Sequence, residues 1–168
     1  DWYLDTGNLM GAYRNGKMIK HDDDFDIGLY GSEKDLHDLF ELVKNKLDDK
    51  YKVKLIDTYC KKLEIYDESE GSYVLDQAEG YTSHNVTIDI QLYIRSKNNN
   101  VKYMYTKDKL NEFVNIKHDM ILPLSTIKYE GHYFNCPNNP KDYLTSHYGY
   151  IGTNAVFNST TRKYQPKS

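Results

Sequence analysis

Cysteine occurs only twice in the 168 residues, at Cys60 and Cys136, so neither a disulfide scaffold nor a four-cysteine zinc site can be built. No apolar run approaches the roughly 18 residues that a membrane helix requires, and no membrane span is expected. Neither sign of charge is in large excess: 22 Lys and Arg stand against 25 Asp and Glu, a net charge of −3. The chain therefore lacks the overall basic field with which proteins hold a nucleic-acid backbone, and nucleic acid is not an expected partner. Tryptophan appears once, whereas tyrosine appears 17 times. Buried tyrosines need partners for their hydroxyls, so the core is expected to carry a polar fringe. Internal repeats and Pro/Gly-rich linkers are also missing. The length suits one domain over residues 1–168, with the polar stretch 158–168 loosely held. The chain opens at Asp1 without a methionine, which reads as trimming at the N-terminus.

What is present is a mixture of strand and helix patterns. Trp2 to Asp5 is a short strand candidate, and Asn8 to Arg14 a short helix ended by Gly16. Phe25, Ile27 and Leu29 alternate with Asp24, Asp26 and Gly28, the period of a strand. Ser32 is a good N-cap, with Glu33 and Asp35 in the first turn. Leu36, Leu39, Phe40, Val43 and Leu47 then repeat at helical spacing. Tyr51–Ile56 and Leu63–Tyr66 read as strands. Val86, Ile88, Ile90, Leu92 and Ile94 form another, with Val101–Tyr105 expected to pair with it across an asparagine turn. Lys107–Val114 is a helix candidate, Ile127–Phe134 a hairpin around Gly131, and Asn139 to Tyr148 a helix with Pro140 in its first turn and Gly149 at its end. Strict βαβ alternation is absent. The expected class is α+β, a mixed sheet with flanking helices.

The segment HDDDFDIG, from His21 to Gly28, concentrates negative charge that calls for a cation if it is folded and ionised. Strand period places Asp24 and Asp26 on one face, with Phe25 and Ile27 on the other. Such a pair suits magnesium, a hard cation that prefers oxygen ligands. Calcium in an EF-hand loop fits poorly, because the sixth position needs glycine and holds Ile27. Asp89 lies alone on the polar face of its strand. If that strand lies beside the Phe25 strand, three carboxylates from two strands make a phosphoryl-transfer metal site. Asp22 is a further candidate ligand. Upstream, the turn Thr6-Gly7-Asn8 leads into a helix whose N-terminus favours an anion. His147 reads as packed rather than catalytic. Asn85-Val-Thr and Asn158-Ser-Thr fit the glycosylation sequon.

Together these segments carry a family resemblance. GNLMGAYRNG followed by HDDDFDIG, then Ile88-Asp89-Ile90, resembles the LicD and fukutin-related family of the nucleotidyltransferase superfamily. Pro123-Leu124 and PNNPKDYLTSHYG, ending at Gly149, are similar to the fukutin-related branch. The resemblance spans roughly residues 2–150. Asn8 stands where the family has Ser or Thr, and Lys20-His21 where it often has Pro-Trp. The four-cysteine zinc insertion of one animal branch is absent.

The resemblance implies a nucleotidyltransferase-like fold and a magnesium- or manganese-dependent enzyme. Its donor would be a CDP-linked alcohol (ribitol, glycerol or choline), its acceptor a hydroxyl of a glycan or glycoconjugate, and its released product CMP. Asp24, Asp26 and Asp89 would hold the metals, and Asp89 would also take the hydroxyl proton. Gly7, Asn8 and Arg14 would hold donor phosphate, the arginine through its planar fork. A nucleotidyltransferase using an NTP, and a non-catalytic relative that binds a glycan or a partner, are the alternatives.

Overall fold

The computed structural model describes residues 1–20, 22, 24–56, 61–76, 81–84, 87–96, 99–103, 116–158, 160–161 and 163–167. In chain order the elements are β1 (Trp2–Leu4), α1 (Thr6–Asn15), β2 (Asp24–Tyr30), α2 (Glu33–Lys46), β3 (Tyr51–Ile56), β4 (Lys62–Asp67), β5 (Ser72–Asp76), β6 (Tyr81–His84), β7 (Thr87–Arg95), β8 (Val101–Tyr103), α3 (His118–Ile121), β9 (Ser125–Tyr129), β10 (His132–Cys136), α4 (Pro140–Tyr148), β11 (Ala155–Asn158) and β12 (Lys163–Pro166). The helix expected at Lys107–Val114 lies outside the described residues, as do Val86, the Asn85 sequon, Cys60, His21 and Asp23.

A mixed sheet runs β1-β2-β7-β4-β3, with β8 pairing the end of β7. The α+β class read from the sequence is the class observed. The central pair, β2 and β7, is parallel, and every other pairing in this sheet is antiparallel. Helix α2 starts on a capping box between Ser32 and Asp35 and lays Leu36, Leu39 and Phe40 on one face of the sheet. There they meet Ile27, Leu29, Leu63, Ile90 and Leu92. Ile88, expected in this core, is 37% exposed. It lies on the N-terminal side of Ile90, Leu92 and Ile94, the β7 residues that join this cluster.

A second cluster gathers α1, α3, α4 and the β9–β10 hairpin. Its centre is polar. Asp5, only 1% exposed, accepts from the hydroxyls of Tyr93 at 2.6 Å and Tyr143 at 2.7 Å. These tyrosines form the polar fringe that their abundance implies. Phe25 joins this cluster rather than Ile27's, with its ring 6.1 Å from Tyr129 and from Phe134. The hairpin turns through Glu130 and Gly131, both at positive φ, the geometry of a tight two-residue connection. The segment 158–168, expected to be loose, is partly tied down. Strand β12 pairs with β11, and the Lys163 ammonium donates to the carbonyls of Ser146 and His147. Helix carbonyls near a C-terminus lack partners of their own, and a lysine supplies them.

Candidate metal centre

Asp5 does more than anchor tyrosines. It caps α1, accepting from the Thr6 N–H at 2.8 Å, and so starts the helix two residues earlier than its apolar pattern suggests. Thr6 and Gly7 thereby become the first turn of α1, pointed at β2. The Thr6 hydroxyl donates to Asp26 Oδ2, and the Gly7 N–H donates to the same oxygen at 3.2 Å. Asn8 Oδ1 accepts from the Asp26 backbone N–H, and its amide donates to the Tyr129 hydroxyl at 2.8 Å. A helix N-terminus thus holds one carboxylate in a fixed orientation.

The parallel pairing of β2 with β7 sets Asp26 directly against Asp89, and Asp24 against Thr87. Paired residues share a face, so Asp24, Asp26 and Asp89 emerge together. Each offers a carboxylate oxygen within 4.8 Å of the other two. All three are half-buried. Three like charges so close are unfavourable unless protonated or bridged. Burial pushes the Asp26 carboxyl up to about 8, with the Asp24 charge next in weight and Asp5 and Asp89 adding to it; the Thr6 hydrogen bond opposes.

Asp89 is held differently. Its Oδ2 accepts from the Lys62 ammonium, while Oδ1 is buried without a hydrogen-bond partner among the described residues. Beyond it, the β4 register sets Glu64 against Asp89, and β3 sets Lys54 against Glu64. One row of charged side chains, Asp26, Asp89, Glu64 and Lys54, therefore crosses four strands. Glu64 is fully buried. Tyr148, the last residue of α4, also reaches this neighbourhood. Burial raises its hydroxyl far above the usual tyrosine range, the charges of Asp26 and Asp5 add to that, and hydrogen bonding to Thr6 opposes it.

The residues expected on donor phosphate are placed as follows. Gly7 is in the cluster's wall, but the space beside it is taken by Asp22: a Cβ there would lie 2.5 Å from Asp22 Oδ2. Asn8 is fully buried, its side chain spent on Asp26 and Tyr129. Arg14 lies in the last turn of α1, eight residues and about 12 Å along the axis from Thr6. It donates to the carbonyls of Ile151 at 3.1 Å and Gly152 at 2.8 Å. His147 is packed: its ring lies 4.8 Å from that of Tyr143, and burial pulls its pKa down to about 4.

The sequence pattern does not single out Lys62, Glu64 or Tyr148, and it marks Thr6 only as the start of the Thr6-Gly7-Asn8 turn. Lys62 and Glu64 carried one signal, alternation with Leu63 and Ile65 along a strand. Tyr148 carried another, its place in the PNNPKDYLTSHYG segment.

Three hard oxygen donors on a sheet, one with a buried oxygen that has no partner among the described residues, suit a divalent cation. The LicD/FKTN/FKRP nucleotidyltransferase-domain family matches residues 1–139, a span that includes all three aspartates and Lys62. No curated protein matches the chain. By that match over most of its length, the chain belongs to the LicD/FKTN/FKRP family through its nucleotidyltransferase domain.

Proposed function

We propose that this protein is a metal-dependent transferase that moves a phospho-alcohol from a CDP-linked donor to a hydroxyl of a glycan or glycoconjugate, releasing CMP. The observation that carries this reading is the register of Asp26 against Asp89, with Asp24 two residues away on the same face. Family membership supports the coarser part, transfer of a phosphorus-containing group in glycan modification.

Asp24, Asp26 and Asp89 would hold magnesium or manganese. Bound there, the cation would supply Lewis-acid stabilisation of the charge on the donor's diphosphate. The remaining work falls to this chain's own groups. Thr6 and Gly7 fix Asp26 so that its second oxygen is presented in one direction. In the transfer, the acceptor oxygen forms a bond to the phosphorus that bears the alcohol, and the bond from that phosphorus to CMP breaks. The acceptor's proton passes to Asp89, whose Oδ1 is without another partner among the described residues. Gly7, at the edge of the cluster, would line the phosphate path. Asn8 and Arg14 support it indirectly, by holding β2 and the chain at Ile151–Gly152.

The test is a product assay. The protein is incubated with CDP-ribitol, CDP-glycerol or CDP-choline, magnesium and a glycan acceptor. CMP and a phospho-alcohol-bearing glycan are the expected products. Release of pyrophosphate from an NTP, with none of the CDP-alcohols consumed, would replace this reading by nucleotidyl transfer.

A further inference from the structure

Lys62 opens β4 and shares a face with Glu64, Gln91 and Asp89, its ammonium seated on Asp89 Oδ2. Only 12% of its side chain and 19% of that of Asp89 are exposed. The other basic groups have different positions. Arg14 serves the carbonyls of Ile151 and Gly152, Lys163 those of Ser146 and His147, Lys61 pairs with Glu33, and Lys17 pairs with Glu130. Among the described residues, Lys62 is the cation whose ammonium is placed on a carboxylate of the aspartate cluster.

That position creates a competition. A divalent cation held by Asp24, Asp26 and Asp89 takes over the Asp89 charge on which the Lys62 ammonium is seated, and it repels that ammonium. Lysine is a compact charge on a flexible four-carbon stem, so it can turn to another anion without moving the strand. In a site for a diphosphate, the diphosphate supplies a new anion for it. We propose that Lys62 is the phosphate-binding cation of this site. It rests on Asp89 while donor is absent and transfers to the donor's phosphate oxygens when the metal and donor enter. This inference rests on the diphosphate-donor reading above. It fills the role that Arg14, at the far end of α1, was expected to fill.

The proposal has a signature that a merely structural lysine does not share: loss of the charge should move metal affinity and phosphate affinity in opposite directions. The experiment uses the whole chain as wild type, Lys62→Met and Lys62→Arg, with Lys62→Gln as a second uncharged variant. Manganese alone is titrated first by calorimetry. Removing the competing ammonium should tighten manganese binding about tenfold in Lys62→Met or Lys62→Gln and leave Lys62→Arg near wild type. Magnesium pyrophosphate and the CDP-alcohols are titrated next. Affinity for them should fall at least about tenfold in the uncharged variants, with Lys62→Arg recovering most of it. Looser manganese binding, or phosphate affinity equal to wild type in a folded uncharged variant, would overturn the proposal. Wild type that binds magnesium pyrophosphate but none of the CDP-alcohols would count against the donor reading alone, and the pyrophosphate series would still decide the role of Lys62.

Discussion

Asp26 and Asp89 stand opposite each other on two parallel strands, and the two carboxylates are secured by groups of opposite character. A helix N-terminus and a threonine hydroxyl hold Asp26. A lysine ammonium holds Asp89. Each carboxylate is oriented before any cation arrives, which reduces the ordering that binding must impose. The consequences can be measured separately.

Metal should stabilise the fold. Magnesium or manganese held by Asp24, Asp26 and Asp89 would bind the native chain and not the unfolded one, so the melting temperature should rise with metal concentration. At a hundred times the dissociation constant the gain is about 2.7 kcal/mol. The double replacement Asp24→Asn with Asp26→Asn should stay folded and lose this response. A double variant that gains as much as wild type would place the metal elsewhere.

The raised carboxyl of Asp26 gives the response a pH dependence. Folding lifts its pKa from the ordinary 3.8 to about 8, so between these values the native chain holds a proton that the unfolded chain has released. From this group, metal-free stability falls as pH rises across that window. Metal must displace the proton, so apparent metal affinity should climb over the same range and level off above about pH 8. Asp26→Asn should flatten the stability slope and raise metal-free stability at pH 8. Melting curves at several pH values check both signs, and an unchanged slope in Asp26→Asn would assign the titration to another group.

Thr6 is expected to act through Asp26. Thr6→Val keeps the shape and removes the hydroxyl that donates to Asp26 Oδ2. Metal affinity should drop about tenfold, the scale seen when a group that orients a ligand is lost. Thr6→Ser should restore it, and Tyr148→Phe should show a smaller loss in the same direction. Calorimetric titration of manganese separates these variants, and equal affinity in Thr6→Val and Thr6→Ser would remove the hydroxyl from the account.

Gly11 illustrates a residue whose role the sequence pattern concealed. Its place within the helix expected from Asn8 to Arg14 gives no reason for glycine, yet it sits buried in α1, where an added Cβ would lie 2.4 Å from the Lys17 carbonyl oxygen. The chain after Gly16 passes close to the helix, and only a missing side chain allows it. Gly11→Ala should therefore cost about 2 kcal/mol or more, although alanine is the better helix former by about 1 kcal/mol. Denaturant unfolding measures this, and a stabilised variant would show that the approach is loose.

The local patterns were legible because each is written in neighbouring residues. Alternation in Phe25–Leu29 and Ile88–Ile94, the Ser32 cap before α2, and Pro140 and Gly149 bounding α4 are short-range rules. The grouping of Asp24, Asp26 and Asp89 was anticipated by supposing that two strands are adjacent, and a family resemblance supported that supposition. The partners were not legible. Lys62 meets Asp89 across 27 residues and Thr6 meets Asp26 across 20, and pattern within a segment says nothing about such pairings. Arg14 is instructive for the opposite reason. Its expected phosphate contact came from the family resemblance and the planar fork of its guanidinium, and neither shows that a helix of ten residues carries the arginine to its far end.

The most direct measurement is the turnover of Asp89→Asn, because the proposed transfer asks Asp89 both to hold the metal and to take the acceptor's proton. Asparagine keeps the size and still accepts from Lys62, so circular dichroism should report a folded chain. CMP release from the CDP-alcohol that wild type consumes, measured at saturating magnesium and acceptor, should fall at least about a hundredfold. Release within a few-fold of wild type would contradict the three-carboxylate site, and Asp24 and Asp26 would remain as a metal-binding pair without this chemistry.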